Sequence, residues 1–175
     1  MTKLPSPSAA LPISHAALRI LIALNWVGGA AILALLLVSP NEQWIMRAFK
    51  LAPSPDTDRL IMGLRAIAAL GLVGTLLNFV VFKRLLAIVE TVRAGDPFVA
   101  ANAMRLEAIA RALLGLQVLS LVIGAIGKAV SSPAHPINLD AGFSVNGWLA
   151  VLLTFLLARV FAEGARMRDD LEGTV

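Results

Sequence analysis

Arg93-Ala94-Gly95-Asp96-Pro97-Phe98 sets the layout of this chain. Gly95 can take the left-handed conformation that closes a helix, Asp96 can cap the next one, and Pro97 fits a first helical turn, where its missing N–H is not needed. The six residues predict an incoming helix that ends near Arg93, an outgoing helix that starts near Pro97, and a hairpin between them. Two long apolar segments lie on each side.

Composition gives those segments a solvent. Of the 175 residues 58% are hydrophobic and 15% charged, and the mean hydropathy of +0.83 is far from that of a soluble domain. The net charge of +4 comes from bases that lie between apolar runs and form no continuous patch, so a bilayer accounts for them better than nucleic acid does. Direct nucleic-acid binding is not expected. With no cysteine there is no disulfide framework, thiol nucleophile or thiolate metal site.

Working outward, residues 83–107 predict the hairpin itself. Leu85, Leu86, Ile88, Val89 and Val92 continue an apolar stripe while Lys83, Arg84, Glu90 and Arg93 are charged, the pattern of a helix that projects from the bilayer. Phe98, Leu106, Ile109 and Leu113 repeat at helical spacing on the other limb. The spans are expected at about 16–38, 59–82, 108–128 and 147–161. The first holds enough residues, at 1.5 Å each, to exceed the ~30 Å hydrocarbon core. It is too long for a signal-peptide core, and Pro40 follows Ser39 where a cleavage site would be needed.

Residues 1–13, with Lys3 and prolines 5, 7 and 12, are expected to form a flexible tail, and Ser14 to cap the first span. Trp44, Ile45, Ala48, Phe49 and Ala52 fit a short interfacial helix, and Asp56 or Asp58 a cap for the second span. Residues 131–143 read as a loop. Beyond Phe161 a helix over 162–172 is expected, because Val160, Gly164, Met167 and Leu171 share a stripe and Arg166/Asp170 and Arg168/Glu172 are favourable i,i+4 pairs. The fold class is therefore all-α: a polytopic membrane protein of four transmembrane helices with extended cytoplasmic helix ends.

Orientation follows from the bases. Lys3, Arg19, Lys83, Arg84, Arg93, Arg105, Arg111, Arg159, Arg166 and Arg168 fall on the side of the termini and hairpin, against Arg47, Lys50, Arg59 and Lys128 opposite. Both termini are expected in the cytoplasm.

The spans carry few groups suited to chemistry. Asn25, Asn78, Gln117 and Thr154 place one polar side chain on each helix, which fits interhelical hydrogen bonding better than a solute path. Gly63, Ala66, Gly71 and Gly74 on the second span, with Ser120, Gly124 and Gly127 on the third, predict close helix approach. Arg65 lies inside the second span, where it snorkels or pairs with Asp140 or Glu42. His15 and His135 lie far apart in the sequence and outside the spans. No metal site, cofactor or catalytic residue is expected, and no G-x-S-x-G, H-E-x-x-H or phosphate-loop motif is present.

Gly95-Asp96-Pro97-Phe98 followed by Asn102, Arg105 and Leu106, together with the ending Phe161-Ala162-Glu163-Gly164-Ala165-Arg166-Met167-Arg168-Asp169-Asp170-Leu171-Glu172-Gly173-Thr174-Val175, resembles bacterial membrane proteins grouped as domain of unknown function 2975. The resemblance implies a small inner-membrane protein, often encoded beside a small helix-turn-helix regulator, and supplies no catalytic residues.

Both motifs fall on the expected cytoplasmic face. The expected function is therefore non-enzymatic protein binding, as a membrane-anchored modulator of a helix-turn-helix regulator or as immunity against a membrane-acting peptide toxin. The candidate partner-binding residues are Gly95, Asp96, Pro97, Phe98, Asn102, Arg105, Glu163, Arg166, Arg168, Asp170 and Glu172. The other partners compatible with the sequence are the lipid bilayer and further copies of the chain. A small transporter or channel using the intramembrane polar residues is the alternative.

Overall fold

A computed structural model of the chain describes residues 7–38, 46–47, 55–132, 137 and 139–172. Four long helices follow one another: α1 (Pro7–Val38), α2 (Pro55–Arg93), α3 (Ala100–Val130) and α4 (Val145–Glu172). Among the described residues there is no strand. Each helix holds an apolar window with a mean hydropathy between 1.8 and 2.4 and is long enough to cross a membrane. The chain is an all-α, multi-pass membrane protein. The 39 residues of α2 extend about 58 Å, roughly twice the hydrocarbon thickness, so this helix runs well past the bilayer.

The helix ends differ from expectation in three places. The first helix starts at Pro7 and not near Ala16, so residues 7–13 are helical, not a flexible tail. Pro7 occupies a first turn, where no N–H is required, and Pro12 gives up only one early hydrogen bond. The second helix likewise starts at Pro55, which puts Asp56 and Asp58 inside its first turn, where they favour the positive end of the helix dipole instead of capping it. The third helix starts at Ala100 and not at Pro97. Asp96, preceding a proline, is biased to extended backbone, and the helix forms only after Val99, whose φ of −104° and ψ of 145° are extended. The expected interfacial helix around Trp44 to Ala52 lies outside the described residues except 46–47, which are helical.

The helices pack in chain order. Contacts between described elements join α1 to α2, α2 to α3 and α3 to α4, and no other pair of described helices comes together. The result is an open row, not a closed ring of four. The apolar centre lies along α3 at the hairpin end, with α2 packed on one side of it and α4 on the other. There Val81, Leu106, Ile109, Ala112 and Ala158 are buried, flanked by Leu77, Phe82, Leu85, Ile88, Leu113 and Phe161.

Small residues set these approaches, and not all as expected. Gly29 faces the Thr75 side chain, Gly71 faces Ile32 and Gly74 faces Leu119, so the α2 glycines do receive neighbouring helices. The α3 stripe receives a loop instead. A Cβ on Gly124 would lie 2.7 Å from the Ala141 carbonyl oxygen, and one on Gly127 would lie 2.6 Å from Leu139 Cδ1. Ser120 Oγ donates to the Gly142 carbonyl at 3.2 Å and accepts from its N–H at 3.0 Å. Gly142 itself has φ 137°, in the region that favours glycine.

The buried face of α4 is also rotated from the expected stripe. Val160 and Met167 are exposed, while Val151, Ala158 and Ala165, seven residues apart, are buried against α3. Alanine lets the α4 backbone approach Ala103 of α3, which leaves the longer apolar chains to lipid or solvent.

Candidate functional site

The hairpin closes α2 with a Schellman motif. Gly95 has φ 86°. Its N–H donates to the Val92 carbonyl at 3.1 Å, and the Asp96 N–H reaches back to the Thr91 carbonyl at 3.0 Å. Gly95 thus acts as the sequence predicts, whereas Asp96 completes the stop and does not start the next helix.

A polar knot holds the two limbs. Asn102 is fully buried. Its Nδ2 donates to Thr91 Oγ1 and to the Pro97 carbonyl, both at 2.8 Å. Its Oδ1 accepts from Arg105 at 2.7 Å, and the same arginine nitrogen donates to the Ala87 carbonyl at 3.1 Å. The Thr91 hydroxyl donates in turn to the Ile88 carbonyl at 2.7 Å. A buried amide with both ends satisfied specifies one geometry for the tip. Asn102 therefore cannot touch a partner, which corrects its expected role: it positions the tip. Arg105, half-buried, is likewise turned into the hairpin.

The tip is joined to the last helix. Arg168 donates to the Asp96 carboxylate across 72 positions of sequence. The Phe98 and Phe161 rings lie 5.2 Å apart at 36°. A Cβ on Gly164 would lie 3.1 Å from the Phe98 ring, so the absent side chain of Gly164 makes room for it. Phe98 is nevertheless 46% exposed. Glu163 and Arg166 pair at 3.5 Å along the outer face of α4, and Asp170 is exposed one turn beyond. Glu172 ends the helix. The two sequence motifs therefore form one surface at the hairpin end, although they are about 70 residues apart. On its other flank His15 Nε2 lies 3.8 Å from Glu90, which ties the early turns of α1 to the projecting part of α2 when the imidazole is protonated.

Beside this surface a groove of about 450 Å³ runs between α3 and α4, lined by Ala100, Ala103, Met104, Glu107, Phe155, Ala158, Arg159, Ala162, Ala165 and Arg166. Sequence reasoning missed both this groove and Thr91. The alanines at 100, 103, 158, 162 and 165 were its visible signal, since a run of small residues on two facing helices leaves a channel.

The intramembrane polar residues are dispersed. Asn25 Nδ2 donates to the Thr75 carbonyl at 3.0 Å, a bond between α1 and α2. Thr154 Oγ1 donates to its own helix at Ala150, 2.7 Å away. Gln117 lies against Gly147 of α4, and its Oε1 is buried with no hydrogen-bond partner. With α1 and α4 apart, these groups line no common path. Among the described residues no three His, Cys, Asp or Glu side chains gather.

Neither a curated protein nor a solved structure matches the chain. Residues 15–175 match the family described as "Protein of unknown function (DUF2975)", a span that takes in all of the helices but the first eight residues of α1, together with the hairpin knot and the tip-to-tail contact, and the chain belongs to that family.

Proposed function

We propose that this is a non-enzymatic protein of the bacterial inner membrane, with both termini in the cytoplasm, whose hairpin end binds another protein. The partner classes that fit are a helix-turn-helix regulator held at the membrane and a membrane-acting peptide toxin that the chain blocks.

One observation carries the reading: the tip-to-tail junction of Asp96 with Arg168 and of Phe98 with Phe161. A helical membrane protein needs no such construction to sit in lipid. Here a buried knot, an ion pair and an aromatic contact fix a surface that projects from the membrane, with Phe98, Glu163, Arg166 and Asp170 displayed on it. Dispersal of Asn25, Gln117 and Thr154 disfavours the alternative of a solute path, which needs convergent polar groups near the bilayer centre.

The test compares wild type with Phe98→Ser and with a truncation after Glu163, measuring abundance in the membrane fraction together with capture of a helix-turn-helix regulator co-expressed with the chain. Loss of capture at unchanged membrane abundance supports the reading. Full capture by both variants moves the working surface to the transmembrane helices. Failure of capture by wild type itself, with protection from a peptide toxin lost in the variants, selects the immunity version.

A further inference from the structure

The groove between α3 and α4 has two chemical levels. Arg159 is the first charged residue of α4, since 145–158 contain none. The apolar side of a bilayer therefore begins just below it, and its guanidinium reaches headgroup depth. Phe155 and Ala158 line the groove on the hydrocarbon side of that level, and Ala100, Ala162 and Arg166 on the other. Arg159 and Arg166 are seven residues apart, close to two full turns, so both edge the same channel with Ala162 between them.

The charges along the rim are unevenly answered. Glu107, on the opposite wall, pairs with Arg111 at 3.3 Å. Arg166 pairs with Glu163 at 3.5 Å. Among the described residues Arg159 makes no ion pair. The groove thus offers an unpaired guanidinium at phosphate depth, a second arginine above it, and a channel floored by alanines that continues into the apolar layer. Met104, 65% exposed, forms one lip, and the exposed Leu152 and Leu156 continue the apolar surface outward.

We propose that this groove binds an anionic glycerophospholipid of the adjoining leaflet, with its phosphate at Arg159 and part of one acyl chain along Phe155 and Ala158. A soluble partner's helix would have to pass below the headgroups to cover Phe155, whereas a lipid is already there. The inference rests on the membrane-spanning fold and not on the proposed protein partner.

The test uses the full chain in detergent, mixed with phosphatidylglycerol or phosphatidylcholine of identical acyl chains, and counts retained lipids by native mass spectrometry. Wild type is expected to retain phosphatidylglycerol in excess, with Arg159→Gln reducing that excess about fivefold, the scale of one interfacial base. Lys83→Gln is the control, because Lys83 lies over the Phe79 ring 5.8 Å from its centroid, outside the groove. Ala162→Trp, which fills the channel, is expected to lower retention of both lipids. An excess that survives Arg159→Gln, or that Lys83→Gln reduces equally, overturns the site. Equal retention of the two lipids by wild type also overturns it and leaves the groove to a protein helix.

Discussion

Asn102 is the side chain on which the hairpin end depends most. Its amide meets Thr91, Pro97 and Arg105 at once while wholly excluded from solvent. Asn102→Ala leaves the Arg105 guanidinium and Thr91 hydroxyl facing a void, an expected loss of about 2 kcal/mol, readable as a lowered unfolding midpoint in detergent. Gly95→Ala forces a Cβ into φ 86° and is expected to cost about 1–2 kcal/mol. Gly28→Ala is the contrasting case: nothing lies within 4 Å of the added methyl, and the helix gains roughly 0.5–1 kcal/mol. Equal shifts for the two glycine variants would remove the turn from the account. The role of Gly95 is legible in the sequence because a Gly-Asp-Pro run has few conformations. That of Asn102 is not, because its partner Thr91 lies eleven positions away and only the folded hairpin brings them together.

At the level of elements, apolar runs and their punctuation locate all four helices, and a continuous helix from the second span into the hairpin follows from the unbroken stripe of Leu85 to Val92. Which face of a helix meets its neighbour does not follow, since in a membrane an apolar face is as content against lipid as against protein. Val160 and Met167 were therefore poor guides to α4, and Ala158 and Ala165 the better ones. The same reasoning separates two polar substitutions. Asn25→Leu removes a bond to the Thr75 carbonyl and is expected to lower stability by about 0.6 kcal/mol. Gln117→Leu removes an acceptor that already lacks a partner, so the unfolding midpoint should hold or rise. A marked loss of activity in Gln117→Leu at unchanged abundance would instead give that side chain a ligand. Gly124→Val should displace the loop at Ala141, whose carbonyl oxygen blocks the new side chain. Faster labelling of a cysteine introduced at Leu139 would register the displacement.

For the molecule as a whole, the open row has a consequence for how the chain sits in a membrane. Because among the described residues each helix packs only on its chain neighbours, no distant helix fixes the direction of another, and orientation is left to the charges at the helix ends. Those charges are lopsided. The hairpin end carries Lys83, Arg84, Arg93, Arg105, Arg111, Arg159, Arg166 and Arg168, while Arg59 and Lys128 flank the opposite end of α2 and α3. Bases within about 15–20 residues of a span are retained on the cytoplasmic side. Reporter fusions after Gly95 and Val175 should therefore read cytoplasmic, and fusions after Lys50 and Pro136 periplasmic. A second arm tests the cause: replacing Lys83, Arg84, Arg93 and Arg111 by glutamine, which leaves Arg105 in the knot, with lysines added beside Lys128, should produce a mixed topology if charge alone decides it. An unchanged topology in that variant would mean that the hairpin knot of Asn102, Thr91 and Arg105 forms before insertion and keeps its end out of the bilayer. A periplasmic signal after Gly95 in the unaltered chain would invert the molecule and put its tip-to-tail surface out of reach of any cytoplasmic regulator.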